Sequence, residues 1–308
     1  MRAILVAQIT IDISNWCDHM LTKEEFYQQV GNLCFMDGAT GSNLRLRGMP
    51  KACNTELWVL EHPDVLQKLQ REYAQAGSQI LYAPTFQAQP IALETIGLAD
   101  QTEKINAQLV ALTRSAAPEC MVAGNLTTLA AFCDSWDPKN FDLLVKNYQR
   151  QIRGLLDGGA DFLGAETLLY PQEAEAILTA AELENARTVT YTFTMQADGS
   201  LFSGIDAGPV LKELEFSGAA AVGFNCVAAD LMTASLVAKL RRYVSIPLIC
   251  KPNAGIPVIR EDGIAHYDMS EADFARILKD CAQMGATLLG GCCGTTPAHI
   301  KATRDLLV

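Results

Sequence analysis

Short apolar runs alternate with longer amphipathic stretches along most of the chain. Leu33–Met36, Gln79–Ala83, Met121–Gly124, Asp161–Ala165, Val189–Met195, Ala220–Phe224, Pro247–Cys250 and Thr287–Leu289 read as strands. Several are rich in β-branched or aromatic residues, and Gly, Pro or Asn bounds them. Between them lie helix-length patterns. His62–Ala76 carries Pro63 in its first turn and stops at Gly77, the usual asymmetry of helix starts and stops. Glu271–Met284 follows Ser270 as an N-cap, has Asp273 placed for a capping-box-like contact, and stops at Gly285. Strand–helix alternation implies a parallel sheet. Eight such units in 308 residues fit a single-domain (β/α)8 TIM barrel better than an open doubly wound sheet. No GxGxxG follows the first strand, so the main sign of a dinucleotide fold is missing.

The opening MRAILVAQITIDI is apolar but contains Asp12 and lacks a small-residue cleavage site, which argues against a signal peptide. Met20 begins a natural-looking start, MLTKEEFYQQV. Residues 1–19 are therefore expected to be an N-terminal extension and 20–308 the barrel.

Composition narrows the functional classes. The formal net charge is -11 and the pI about 4.9, with no clustered Lys/Arg to displace counterions from phosphate, so no nucleic-acid partner is expected. No run reaches the eighteen or so apolar residues of a membrane span. Ten cysteines are spread thinly through a large chain. That placement predicts reduced thiols in a cytoplasmic protein rather than a disulfide scaffold.

Chemistry-bearing residues gather at the strand ends. Asp37 stands in MDGATG, Glu166 in GAET, Asn225–Cys226 in GFNC, Asn253 in KPNAG and Cys292–Cys293 in GGCCGTT. A barrel opens all strand C-termini onto one face, where active sites are built. Zinc favours thiolates, and a catalytic zinc keeps three protein ligands and one open position. Cys226, Cys292 and Cys293 would supply three sulfurs at one rim, framed by Gly223, Gly290, Gly291 and Gly294. Simpler readings stay open: a strand-end Cys is commonly a small buried hydrophobe, and an adjacent pair could pack or form a strained disulfide. Asp37 before Gly38 could mark only a turn. Glu166, directly after an apolar strand, is harder to explain structurally. Cys17, Cys34, Cys53, Cys120, Cys133, Cys250 and Cys281 read as core or surface thiols, and His19, His62, His266 and His299 as surface or capping residues.

MDGATGSNL (36–44), EYAQAGSQI (72–80), GAET (164–167), GFNC (223–226), KPNAGIP (251–257) and LLGGCCGTTPAHI (288–300) resemble the homocysteine S-methyltransferase family. The likeness is strongest to the homocysteine-binding domain of cobalamin-dependent methionine synthase. It implies a zinc-dependent (β/α)8 barrel in which Cys226, Cys292 and Cys293 are the catalytic zinc ligands. It also implies that Asp37, Gly38 and Glu166 hold the polar end of homocysteine, and that Asn225, also assigned to substrate binding, shapes the metal loop. The chain departs from the family pattern at Pro84, Asn125 and Tyr170. It ends at Val308, just after its last helix. The resemblance therefore suggests a stand-alone barrel taking methyl from methylcobalamin on a partner protein. The alternatives are a small donor (S-methylmethionine or betaine) and a zinc- or thiol-binding barrel without methyl transfer.

Overall fold

The computed structural model describes residues 20–230, 232–259 and 265–308. The expected extension, 1–19, and Cys17 and His19 within it lie outside the described residues. Eight parallel strands form the sheet: β1 (Cys34–Phe35), β2 (Ile80–Tyr82), β3 (Met121–Thr127), β4 (Phe162–Leu168), β5 (Val189–Phe193), β6 (Ala221–Ala228), β7 (Leu248–Asn253) and β10 (Leu288–Leu289). They pair in the order β1-β10-β7-β6-β5-β4-β3-β2. A parallel bridge from Met36 to Ile80 brings the two edges together, with Asp37 N–H donating to Ile80 O at 3.0 Å. The result is the expected TIM barrel. A short antiparallel ribbon, β8 (Val258–Ile259) with β9 (Ala265–His266), follows β7 and stands apart from the ring.

Helices between the strands cover the outer face, which explains why β3 and β5 are buried along their whole length. The helix Pro63–Ala76 buries Leu66, Leu69 and Tyr73 on one face. Each such side chain contributes roughly 1.5–3 kcal/mol through removal from water. Gly77, at φ 109°, ends this helix in the left-handed conformation. In Glu271–Gln283, the Ser270 side chain accepts from the Asp273 amide, as the capping pattern predicts. Among the described residues, no helix is long and apolar enough to cross a membrane.

Four strands run beyond their expected ends: β3 to Thr127, β4 to Leu168, β6 to Ala228 and β7 to Asn253. Their polar tails are still paired, Thr127 opposite Glu166 and Asn225 opposite Lys251. Two of these tails are irregular. The register shifts between Ala165 and Leu168 in β4, and between Asn225 and Ala228 in β6. Each irregularity holds a non-glycine residue in the left-handed region, Thr167 and Cys226, both at φ 60°. Such bulges re-aim side chains next to functional sites, at a backbone cost of about 1–3 kcal/mol each.

Candidate metal centre

The β6 bulge and the turn after β10 bring three sulfurs together. Cys226 Sγ lies 3.4 Å from Cys292 Sγ and 3.8 Å from Cys293 Sγ, and all three lie within 4.8 Å of one another. These are non-bonded separations between free thiols. A tetrahedral zinc with bonds of about 2.3 Å holds its sulfurs roughly 3.8 Å apart, so this donor set fits that ion. Backbone contacts fix the loops. Asn253 Nδ2 donates to Cys226 O at 3.1 Å, the Cys292 amide to Pro252 O at 2.8 Å, and Thr295 Oγ1 to Cys292 O at 2.7 Å. Gly294, at φ 81°, turns the chain beneath the Tyr267 ring, which leaves no space for a Cβ.

Three thiols this close cannot all ionise without a cation. Hydrogen bonds from Cys226, Cys292 and Tyr267 hold Cys293 well below the usual thiol range. Cys292 is pushed far up by its two sulfur neighbours and by burial. Cys226 is also raised, its bond from Cys292 being outweighed by Cys293 and desolvation. The cluster therefore loses one proton easily and resists losing a second. A bound cation removes that resistance.

Beside the sulfurs opens a cavity of about 320 Å³, lined by Asp37, Gly38, Glu166, Lys251, Cys292 and Cys293 among others. That is room for a small molecule. Asp37 is 2% exposed; its Oδ2 accepts the Tyr82 amide at 2.8 Å. Glu166 Oε1 accepts from Asn125 Nδ2 at 2.8 Å. The ammonium of Lys251, 3% exposed, sits 3.2 Å from Glu166 Oε2 and 3.5 Å from Asp37 Oδ1. It also lies 3.7 Å above the Tyr82 ring. Burial pushes the Asp37 carboxyl up to about 6 against the pull of Lys251 and the Tyr82 amide. Burial pulls Lys251 down, but Glu166 and Asp37 more than reverse it, so the ammonium stays charged. Gly38 is forced by packing: a Cβ there would lie 2.5 Å from Thr295 Oγ1 and 2.7 Å from Tyr73 Oη.

Asn225 is fully buried and joins the two bulges. Its Oδ1 accepts from the Thr167 amide at 2.7 Å and from Thr192 Oγ1 at 2.9 Å. Its Nδ2 donates to Thr167 Oγ1 at 2.7 Å and faces Cys292 Sγ at 3.8 Å. The same amide thus supports Glu166 through Thr167 and the sulfur cluster directly.

The barrel gathers Asp37, Gly38, Glu166 and the three cysteines at one mouth, with Asn225 behind them. His62 stacks on Trp58, and His299 caps its own helix through Thr296, both away from the cluster. Of the departures from the family pattern, Pro84 lines the cavity, Asn125 orients Glu166, and Tyr170 packs against Trp136. Sequence reasoning missed Lys251 and Tyr267. A lysine ending an apolar strand two residues before Asn253 was the available signal for the first; nothing local marks the second.

The family described as homocysteine S-methyltransferase matches residues 34–307. The methionine synthase of Mycobacterium tuberculosis is 29% identical over 289 residues, covering 86% of this chain and 24% of that protein. That of Mycobacterium leprae is 28% identical, covering 86% and 23%. The chain thus spans about a quarter of the length of these relatives. Among solved structures, the metallated form of the homocysteine methyltransferase MmuM from Escherichia coli is similar at a TM-score of 0.77 and 25% identity. That likeness covers 92% of this chain and 100% of that one.

Proposed function

Because this chain belongs to the homocysteine S-methyltransferase family, we propose that it methylates the thiol of homocysteine to give methionine. The observation that carries this reading is the meeting of Cys226, Cys292 and Cys293 beside a cavity holding Asp37 and Glu166. Zinc held by the three sulfurs supplies a Lewis acid that favours the thiolate form of an incoming thiol, ordinarily protonated at neutral pH. The chain's own residues do the rest. Asn225 and Asn253 hold the β6 bulge so that Cys226 faces the other two sulfurs. Asn125 orients Glu166 toward the polar end of the amino acid, and Gly38 lets the Asp37 turn pack against Thr295 and Tyr73.

The methyl donor is proposed to be a methylcorrinoid carried by a partner protein. In support, exposed apolar residues crown the mouth in the loops after the strands: Phe86, Trp136, Phe202, Met232 and Ile256. Such a rim suits a protein surface better than a small charged donor. Free thiols throughout the described residues support a reducing, cytoplasmic setting. Purified protein assayed with homocysteine and methylcobalamin, S-methylmethionine or betaine tests both points. Methionine formed from a small donor without corrinoid would overturn the donor assignment. Failure to form methionine from any donor would favour the thiol-binding barrel.

A further inference from the structure

The acidic pair at the mouth already has an ammonium between its members, and it belongs to the chain. Lys251 Nζ is 3.2 Å from Glu166 and 3.5 Å from Asp37, with the Tyr82 ring closing its third side at 3.7 Å. Its three protons therefore have three partners. The remaining oxygen of each carboxylate is also engaged, Asp37 by the Tyr82 amide and Glu166 by Asn125. Two carboxylates and one ammonium leave a single surplus negative charge. Asp37 is almost fully covered and Glu166 largely so, and an incoming amino group must therefore share the pair with Lys251.

We propose that Lys251 determines specificity as a tethered rival for the substrate's amino group, so that this barrel accepts short thiol carboxylates lacking an amino group nearly as well as homocysteine. This rests on the methyl-transfer reading above and adds the breadth of its substrate class. No bond changes are involved; the claim concerns binding. An amino group gains less at a site whose acids are neutralised and hydrogen-bonded than at a bare acidic pair.

The test is calorimetric titration of the zinc-loaded wild-type protein with L-homocysteine and with 4-sulfanylbutanoate, which differs only in lacking the amino group. Dissociation constants within about tenfold of each other are expected; weaker binding of the amino-free thiol by more than that would overturn the proposal. In Lys251→Met the amino group can take the vacated place, so preference for homocysteine should rise by about tenfold or more at unchanged zinc content. Lys251→Arg keeps the charge and should keep the wild-type ratio. A merely structural lysine would weaken both ligands alike in the methionine variant and leave their ratio unmoved, which also overturns the idea. Should Lys251→Met not fold, the wild-type ratio still decides. Binding of neither thiol would instead remove the functional reading on which the proposal stands.

Discussion

Each sulfur of the trio touches another, so no single cysteine can be lost without leaving two thiolates to hold an ion. Cys226→Ala, Cys292→Ala and Cys293→Ala should each drop zinc on dialysis while the barrel stays folded, because ligand loss removes coordination without opening the core. Metal analysis checks this, and stoichiometric zinc in any variant would take that residue out of the ligand set. Glu56 poses a separate problem at the cavity edge. It is 1% exposed, its Oε1 accepts the Gln87 amide at 2.6 Å, and its Oε2 has no partner. Burial pushes its carboxyl up to about 7 from an ordinary 4.5. A raised folded pKa means that the acid's contribution to stability is complete below about 4.5 and lost as pH rises through about 7. Glu56→Gln should therefore stabilise the fold at pH 8 by up to about 3 kcal/mol, read as a higher melting temperature, with the gain fading toward pH 5. Thermal unfolding across that range measures it; a gain independent of pH would rule out the ionisation account.

Among elements, the two bulges matter most. Asn225→Ala would leave the Thr167 amide without its acceptor and the Cys226 turn without its support. A stability loss of about 1–3 kcal/mol is expected, together with weaker retention of zinc and weaker homocysteine binding. Unfolding and metal competition would show it, and unchanged zinc affinity would sever the proposed link between the bulges. These bulges also mark the limit of what pattern reading delivers. All eight strands were legible, because an apolar run flanked by Gly, Pro or Asn signals a buried stave whatever lies around it. The ends of β4 and β6 were not, since Glu166 and Asn225 stay paired with Thr127 and Lys251, partners far away in sequence. The glycine frame drew attention to the three cysteines, the resemblance of GFNC and GGCCGTT to the family's motifs singled them out, and the barrel implied that they meet. Lys251 did not stand out: its role depends on two acids, Asp37 and Glu166, that only closure of the ring places beside it.

At the scale of the whole molecule, the barrel rests on three hydrophobic clusters of buried side chains, none of which needs an ion to exist. Chelation should therefore leave the far-UV circular dichroism unchanged, whereas a small zinc-nucleated fold would collapse. Amide exchange should tell a finer story, with faster exchange confined to residues 288–296 after metal removal; uniform acceleration would mean that the ion supports the fold globally. The reason lies in how the ring is joined. Its two shortest staves, β1 and β10, stand side by side with two residues each. Beyond them the join depends on cross-ties between loops: Gly291 N–H to Asp37 O, the Ala39 amide to Thr295 Oγ1, and Asn43 Nδ2 to both Ala39 O and Thr295 O. Cys292 and Cys293 emerge at that join, and Cys226 faces them from across β7. An ion gripping all three would act as a clasp on the hoop, spanning from β6 across β7 to the loop after β10, so that loading makes firm the stretch that carries one of its shortest staves.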